Sequence, residues 1–309
     1  MSTPQRRPGS SGASLHAPVL VREVLHALDL QSGQTIVDGT IGGGGHGKKI
    51  LEAIGSEGTL IGMDRDLMML EFASKQLSLE QLTQPNCHLV HDSYAHLPDA
   101  LQNRNIAAVD GVLLDLGLSS DQLADDERGF GFASTGPLDL RFDLTSGKSA
   151  WKHLEKLDEG ALAEIFQEFG EERFADRIAA EIVARRRGRP VRTASDLAEA
   201  VVAAIPGSRR GDSRRHPATR VFQALRIAVN NELEQLHAAL DHVLYDSLRP
   251  GGRAVVISFH SLEDRMVKNA FRDVDRWQTL TTKPVTAAPA EIRLNPRART
   301  AKLRAAIRQ

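Results

Sequence analysis

Residues Thr35–Gly47 read T-I-V-D-G-T-I-G-G-G-G-H-G. A short apolar run is closed by Asp38, and four consecutive glycines, His46 and Gly47 follow it. A buried strand that runs into a glycine turn and then a helix is typical of a nucleotide-type cofactor site in an α/β sheet. These glycines also fit the generic G-x-G-x-x-G spacing, so a glycine-rich surface turn is the alternative interpretation at this point.

Other apolar runs in the first part of the chain also end on acids. The predicted strands are residues 34–38, 58–64, 87–92 and 109–115. They alternate with helical segments and are not joined by hairpin turns, which predicts a mostly parallel, doubly wound α/β sheet. Asp38, Asp64, Asp92 and Asp115 stand at the carboxyl ends of these strands. That edge is where such sheets bind ligands.

The pattern changes after Asp115. A loop-like stretch leads into helical periodicity, and apolar positions from Val221 to Leu244 predict one long amphipathic helix that ends before Pro250. A further buried strand is predicted at residues 254–259, directly before His260. We therefore expect a disordered N-terminal tail at 1–15, a discontinuous sheet domain at 16–123 and 216–309, and an inserted all-helical domain at 124–215.

Composition excludes several classes of protein. The single cysteine, Cys87, excludes an intrachain disulfide and a thiolate zinc cluster, and no metal site is predicted. No apolar run reaches the roughly 18 residues that a membrane span needs. The Ser/Gly/Pro-rich start has no apolar segment, so a secretory signal is not expected. We expect a cytoplasmic protein without a membrane partner.

Charge is segregated along the predicted insertion. Residues 121–172 carry thirteen acids against five bases, whereas residues 185–220 carry ten arginines against three acids. The final stretch, 292–309, adds five arginines and Lys302 with no acid. Charge runs are often solvated helix faces, but arginines interleaved with glycine and proline favour contacts with nucleic-acid phosphates.

The acids around the glycine turn restrict the cofactor. A carboxylate at Asp38 would repel a pyrophosphate, but it suits the ammonium and sulfonium charges of S-adenosylmethionine. Asp64 is placed to accept both ribose hydroxyls, as the corresponding acid does in dinucleotide folds. Tyr94 could lie against the adenine. The alternative for Asp38 and Asp64 is that they accept hydrogen bonds from nearby turn amides.

The motifs coincide with those of one family. The matching blocks, in chain order, are His16–Leu20, Asp38–Thr40 with Gly44–His46, Asp64–Asp66, Asp110–Ser120, Arg128–Phe130 with Gly136–Arg141, Gly170–Arg173, His216–Arg226, Ser258–Arg265 and Asn295–Arg299. With these blocks the chain closely resembles the bacterial 16S ribosomal RNA cytosine-N4 methyltransferases, the RsmH or MraW family. The resemblance covers nearly the whole chain from His16 onward.

This resemblance implies a Rossmann-like class I methyltransferase fold. It also implies methyl transfer from S-adenosylmethionine to the exocyclic N4 of a cytidine in the decoding region of 16S ribosomal RNA, with the small ribosomal subunit as partner and the insertion as the RNA-recognition domain. The residues that it assigns to the cofactor are Gly44, Gly45, His46, Asp64, Tyr94, Asp115 and Gln122. Two departures are visible: Gly43 stands where relatives often carry a larger residue, and Tyr94 where some have phenylalanine.

The catalytic groups are less determined. Cytosine N4 needs an acceptor that aligns it and takes its proton, and we expect Asp115 to do this, with Phe130 or Phe132 as a stacking surface. The alternative is that Asp115 binds only the cofactor and both phenylalanines are core. His260 could contact the substrate or hydrogen-bond within its own loop, and His46 is expected to cap the helix after the glycines.

Other functions stay open at this stage. They are a methyltransferase on another nucleic acid or on a protein amine, a non-catalytic ribosome-assembly protein and, more distantly, a nucleotide-dependent oxidoreductase. A homodimer built on the long helix or on the basic tail is also compatible with the sequence.

Overall fold

The computed structural model describes residues 17–77, 86–206 and 216–309. The predicted tail at 1–15, His16 and the arginines between 209 and 215 lie outside these residues. Within the described ranges, no helix is both long and apolar enough to cross a membrane. The chain forms two compact units, one of residues 1–117 with 238–309 and one of residues 118–237.

The first unit is an α/β domain. Its helices are α1 (Val21–Leu28), α2 (Gly45–Ile54), α3 (Leu67–Gln76), α4 (Leu97–Gln102), α12 (Leu244–Ser247), α13 (Ser261–Ala270) and α14 (Pro289–Leu294). Its strands are β1 (Thr35–Asp38), β2 (Thr59–Asp64), β3 (Cys87–His91), β4 (Val109–Asp115), β5 (Leu248–Ser258), β6 (Trp277–Thr279), β7 (Val285–Thr286) and β8 (Lys302–Arg308).

The strands form one sheet in the order β3-β2-β1-β4-β5-β8-β6, with β7 beside β8. The first five strands in this order are parallel. The prediction of a mostly parallel, doubly wound sheet is therefore confirmed, and the first four strands begin and end within about one residue of the predicted ones. Ile36, Leu60, Leu113 and Val255, one from each of four neighbouring strands, pack with the helices in one core.

The end of the chain differs from its interpretation as a basic tail. Strand β8 pairs antiparallel with β5, and most of its side chains are buried. Arg304 is only 5% exposed, and it shares Asp264 with Lys302 in an ion cluster, with N–O distances of 2.7 and 3.1 Å. The alanines and arginines of this strand conceal its alternation, which is why the sequence did not indicate a strand here.

The second unit is helical. Its helices are α5 (Ser120–Ala124), α6 (Ala150–Lys156), α7 (Glu159–Glu168), α8 (Ala175–Arg185), α9 (Ala194–Ala204), α10 (Thr219–Asn230) and α11 (Glu232–Ala238), which crosses into the first unit's residues at its last position. The predicted insertion, 124–215, lies within this unit. Its core is formed by Phe166, Ile178, Leu197 and Leu225, among others.

The prediction of one long helix from Val221 to Leu244 is wrong. Helix α10 ends at Asn230, because Asn231 takes a left-handed conformation with φ of 51°, which asparagine tolerates better than most residues. Helix α11 follows, and a π-helical turn, Ala239–Val243, separates it from α12. The apolar spacing continues through these breaks, so periodicity alone did not indicate them.

Candidate functional site

Three carboxylates stand side by side at the carboxyl edge of the sheet. Asp64, Asp38 and Asp115 are the last residues of β2, β1 and β4, which are neighbours in that order. Strand order reverses at β1, and open α/β sheets bind their ligands at such a switch point. Among the described residues, Asp38 Oδ2 and Asp115 Oδ1 are buried without a hydrogen-bond partner.

Burial makes these carboxylates costly to ionise. It raises the pKa of Asp38 to about 7, and the negative charge of Asp64 adds to this while the Thr40 amide opposes it. Burial likewise raises the pKa of Asp64 to about 6, against the amides of Asp66 and Gly42. Burial raises the pKa of Asp115 to about 8, with a further contribution from Asp38. A buried carboxylate without a partner is destabilising unless a cation binds against it, so this edge suits a cationic ligand.

The glycine turn is shaped by close packing. Gly44 precedes α2 with φ of 86°, and a Cβ there would lie 3.2 Å from Ala73 Cα. A Cβ on Gly39 would lie 2.6 Å from Leu114 Cδ2, so β1 and β4 leave no room for one. Gly45, the first residue of α2, faces Pro18, with its ideal Cβ position 3.0 Å from that ring. The predicted turn therefore exists, and backbone conformation and packing both require glycine there.

Asp64 connects this turn to β2. Its Oδ2 accepts the Gly42 amide at 2.9 Å, and its Oδ1 accepts the Asp66 amide at 2.9 Å. The amide-accepting role weighed from the sequence is thus present. The Arg65 amide also bonds this carboxylate, so about one of its four lone-pair sites is left for a ligand hydroxyl group.

His46 does not cap α2, which corrects that prediction. The helix begins after Gly44 without a side-chain cap, and the ring of His46 turns back to the start of the described chain. Its Nε2 lies 2.9 Å from the Val19 carbonyl oxygen, and its Nδ1 lies 3.5 Å from Asp115 Oδ2. Burial lowers the pKa of His46 to about 4, so the ring is neutral at pH 7.

Tyr94 begins a 3₁₀ turn, Tyr94–His96, just after β3. Its Cβ would lie 3.0 Å from a Cβ added to Gly39, so the tyrosine stands beside the end of β1 and is partly exposed. The structure therefore brings together six of the seven predicted cofactor residues, those other than Gln122, in the α/β unit.

Gln122 belongs to the helical unit. It forms a capping box with Ser119 at the start of α5: the Ser119 amide donates to Gln122 Oε1 at 2.8 Å, and the Gln122 amide donates to Ser119 Oγ at 3.1 Å. This local bond pattern accounts for the glutamine as a helix cap. Its contact with a cofactor remains a prediction.

His260 is the N-cap of α13. The Glu263 amide donates to its Nδ1 at 3.4 Å, and Glu263 Oε2 accepts the amides of Phe259 and His260 at 2.8 and 3.2 Å. The histidine Nε2 lies 3.0 Å from Glu263 Oε1 without the alignment of a hydrogen bond. The geometry agrees with the alternative of bonding within its own loop, and the catalytic role of His260 stays a prediction.

Four residues near the site lie in the family blocks, but the sequence assigned them no individual role. Thr40 Oγ1 accepts the Asp115 amide at 2.6 Å, and Val19 provides the carbonyl oxygen for His46. The charges of Arg297 and Glu263 act on Asp115, the first lowering its pKa and the second raising it. Only Glu263 had a local signal, since a glutamate three residues after a capping residue is a capping-box pattern.

The two candidate stacking residues have different surroundings. Phe130 is 5% exposed and stacks on Phe142 with ring centroids 5.9 Å apart, so it is a core residue. Phe132 is partly exposed, and it stacks on His216 at 4.7 Å. Phe132 is therefore the better candidate for contact with a base.

Several predicted phosphate-binding arginines have partners within the helical unit. Arg185 pairs with Glu181 at 2.7 Å, Arg189 with Glu199 at 2.9 Å, and Arg192 with Glu155 at 2.8 Å. Arg186 donates to the carbonyl oxygens of Leu154 and Leu157 at the end of α6. Two of these ion pairs are local in sequence, whereas Arg192–Glu155 joins the basic stretch to the acidic one.

Comparison with known proteins adds a family to this geometry. A sequence model of the MraW methylase family matches residues 13–309. A relative from Citrifermentans bemidjiense, named ribosomal RNA small subunit methyltransferase H, is 45% identical over 307 residues that cover 94% of this chain and 97% of the relative. A relative of the same name from Trichlorobacter lovleyi is 46% identical over 310 residues, with the same two coverages of 94% and 97%. A third, from Desulforapulum autotrophicum, is 44% identical over 311 residues and covers 95% and 98%.

Proposed function

The chain belongs to the MraW methylase family, and from that premise we propose that it methylates the exocyclic N4 of a cytidine in the decoding region of 16S ribosomal RNA. The enzyme is a methyltransferase, and S-adenosylmethionine is its methyl donor. A ribosomal RNA substrate follows from the names of its relatives. The cytidine, its N4 atom and the small-subunit context are the further content of the proposal.

One observation supports the cofactor part of this assignment. Asp38 and Asp115 are buried at the switch point of the sheet, and each has an oxygen without a partner among the described residues. A pyrophosphate cofactor would meet negative charge here, whereas a donor with sulfonium and ammonium groups would supply the missing positive charge. The residues present therefore fit S-adenosylmethionine.

The neighbouring residues would hold the other parts of the donor. Gly44 and Gly45 let the backbone at the start of α2 approach it without a Cβ in between. Asp64 would accept the ribose hydroxyls, in part by exchanging one of its turn amides, and Tyr94 offers a ring for the adenine. Gln122, from the helical unit, is the remaining residue that we assign to the cofactor.

Asp115 is the residue that we assign to the amino group. Bound S-adenosylmethionine supplies an electrophilic methyl group, while cytosine N4 is a weak nucleophile because its lone pair is delocalised into the ring. A carboxylate that accepts an N4 hydrogen orients the lone pair and removes the proton as the new bond forms. Asp115 must be ionised to do this, and a cation bound beside it favours that form.

His260 is proposed for the same site only in a supporting position. It stands at the end of β5, the strand next to β4, but its Nδ1 is already used in capping α13. If it acts in catalysis, it does so with Nε2. His260→Asn, which can still accept the Glu263 amide, would then lower the rate without unfolding the protein.

The experiment that tests the function is mass spectrometry of modified cytidines. Purified small subunits, free 16S RNA and DNA are incubated with the protein and labelled S-adenosylmethionine, and N4-methylcytidine is expected in the ribosomal RNA only. Methylation of DNA or of a protein amine would show that the assigned ribosomal RNA substrate is wrong. Cofactor binding without turnover on any of them would support an assembly protein instead.

Asp115→Asn separates the two roles of this residue. We expect methylation to fall by a factor of about 10² or more, as for loss of a general base. Cofactor affinity is measured on the same variant. Full methylation with unchanged affinity would show that the acceptor is another group.

We also propose that the helical unit contacts RNA, and Arg187 tests this. It is exposed just past α8, and the described residues include no hydrogen-bond or ion-pair partner for it. Arg187→Ala should weaken RNA binding and reduce the slope of log K against log salt by about one. Arg186→Ala is the matched control: it should lower stability, because Arg186 caps α6, and it should leave the salt slope unchanged.

The proposed substrate places the enzyme in the cytoplasm. A homodimer gains no support from the described residues, because the long helix that suggested it is divided and Arg304 in the basic tail is ion-paired. Sedimentation of the full chain would decide the oligomeric state.

A further inference from the structure

The hydrogen bond of His46 determines which of its ring nitrogens carries a proton. Nε2 lies 2.9 Å from the carbonyl oxygen of Val19, which can only accept. Nε2 must therefore be the N–H donor, and in a neutral ring Nδ1 then holds a lone pair. Since the side chain is only 6% exposed, water is largely excluded from this nitrogen.

His46 Nδ1 lies close to an oxygen of Asp115. The distance from Nδ1 to Oδ2 is 3.5 Å, and the Asp115 side chain is 10% exposed. With a neutral ring and an ionised carboxylate, two lone pairs would face each other in a buried place. One proton between the two atoms removes this repulsion, whether it is bonded to oxygen or to nitrogen.

The surrounding charges indicate where that proton is. Burial, Asp38 and Glu263 raise the pKa of Asp115, Arg297 lowers it, and the result is about 8. Burial lowers the pKa of His46 to about 4. At pH 7 the proton therefore belongs to Asp115, whose Oδ2 lies 3.5 Å from His46 Nδ1.

We propose that His46 and Asp115 hold one proton between them in the cofactor-free protein and that this proton is released to solvent when S-adenosylmethionine binds. The O–H bond of Asp115 breaks, its electron pair stays on Oδ2, and the proton goes to the buffer. The fixed positive charge of the ligand replaces the proton beside the carboxylates. The inference rests on the proposed function for the identity of the ligand, and it makes His46 a positioning residue for the acceptor.

Affinity should consequently depend on pH. If binding requires the ionised pair, the dissociation constant falls as the pH rises toward the pKa of Asp115, by up to about tenfold per pH unit, and is constant above it. Binding also generates the ionised Asp115 that the proposed methyl transfer needs. The enzyme would thus have its proton acceptor ready only when the donor is present.

Isothermal titration calorimetry measures the released proton directly. Binding of S-adenosylmethionine is measured at pH 7 in buffers with different ionisation enthalpies. The observed binding enthalpy is plotted against the ionisation enthalpy of the buffer, and the magnitude of the slope is the number of protons released. S-adenosylhomocysteine, which lacks the sulfonium charge, should release fewer. Asp115→Asn should release roughly one proton fewer than the wild type.

The chain contains a matched control pair. His96 Nδ1 lies 2.7 Å from Asp92 Oδ1, but both side chains are exposed, at 59% and 44%. Water can solvate either group there, so His96→Gln should leave proton release unchanged. A loss of release in this variant as large as in Asp115→Asn would overturn the assignment of the proton to the buried pair.

Nitrogen NMR of the cofactor-free wild type tests the shared proton without any ligand. We expect the His46 ring to be the neutral Nε2–H form, with Nδ1 shifted as a hydrogen-bond acceptor. We expect this shift to disappear in Asp115→Ala, whose side chain has no donor for Nδ1. An Nδ1–H ring, or an Asp115 carboxyl carbon that titrates near pH 4, would refute the inference. Tight cofactor binding with no proton release would also refute the inference of a shared proton. Absence of cofactor binding would refute the proposed function, and the NMR result would then decide whether the proton is shared.

Discussion

Replacing Asp38 with asparagine should make the cofactor-free protein more stable while impairing its function. The carboxyl group is 1% exposed, its Oδ1 accepts the Thr40 amide at 3.2 Å, and its Oδ2 has no partner among the described residues. Asparagine is nearly the same size and keeps the oxygen that accepts from Thr40. The substitution therefore removes the cost of a buried negative charge with little change in packing.

The size of the effect follows from the pKa of Asp38. It is raised from 3.8 to about 7, chiefly by burial. One pKa unit corresponds to about 1.4 kcal/mol, so the ionised carboxylate lowers the free energy of unfolding by about 4 kcal/mol. Because the folded pKa is raised, this loss is absent below pH 3.8, grows as the pH rises, and is complete above pH 7.

The assay is urea unfolding of the cofactor-free protein at pH 5 and pH 8. Asp38→Asn should exceed the wild type in stability at both, with the larger difference at pH 8. Asp264→Asn is the control, since Lys302 and Arg304 hold the pKa of Asp264 below its usual value. That substitution should destabilise at pH 8, and its effect should shrink toward acid pH.

A second measurement on the same variant separates stability from function. A thermal shift with S-adenosylmethionine should be large for the wild type and small for Asp38→Asn, because the variant lacks the charge that would bind the cation. If Asp38→Asn is less stable than the wild type at pH 8, or if the difference does not change with pH, burial of this carboxylate is not the cost that we infer.

Two further substitutions have controls within the chain. Gly44→Ala should cost more than Gly251→Ala, and only the former should weaken cofactor binding. Both glycines have positive φ, 86° and 81°, but a Cβ at Gly44 would lie 3.2 Å from the backbone of Ala73, while one at Gly251 would have nothing within 4 Å. Gly251→Ala therefore has only the conformational cost, and thermal unfolding should show a loss of about 1 kcal/mol in its unfolding free energy. Asn230→Ala should lower the free energy of unfolding by about 3 kcal/mol. The buried Asn230 side chain accepts the Phe142 amide and donates to the carbonyl oxygens of Leu140 and Arg226, and the variant loses all three bonds. Asn231→Gly should be nearly neutral, and equal losses at the two asparagines would contradict this.

The sheet and its acidic edge were predictable from the sequence. Apolar runs that end on Asp38, Asp64 and Asp115 report burial along a strand, and alternation with helices implies parallel pairing. Both are local patterns, and the carboxyl ends of parallel strands necessarily meet at one edge. The glycine turn was also predictable from a local pattern, because consecutive glycines indicate a backbone conformation that other residues rarely adopt.

The hydrogen-bond and ion-pair partners of individual side chains were not predictable from the sequence. Arg186 lies in a run of arginines but is used to cap α6, and Arg304 lies in a basic tail but is buried beside Asp264. His260, which stands at the right edge for catalysis, is held by a capping box. In each case the residue type was compatible with two roles, and the choice depended on a residue far away in sequence or on the geometry of one turn.

The sequence by itself thus determined the α/β fold, the acidic edge that we propose as the cofactor site and, through the ordered motifs, the family. Only the tertiary structure decided how protons and charges are arranged within that site. Asp115 and His46 are both singled out by the sequence, but nothing in it indicates that folding places them 3.5 Å apart and that the ring bonds Val19. Local patterns report backbone conformation and burial, whereas a pKa depends on the distances and solvent exclusion that arise when separate segments pack together.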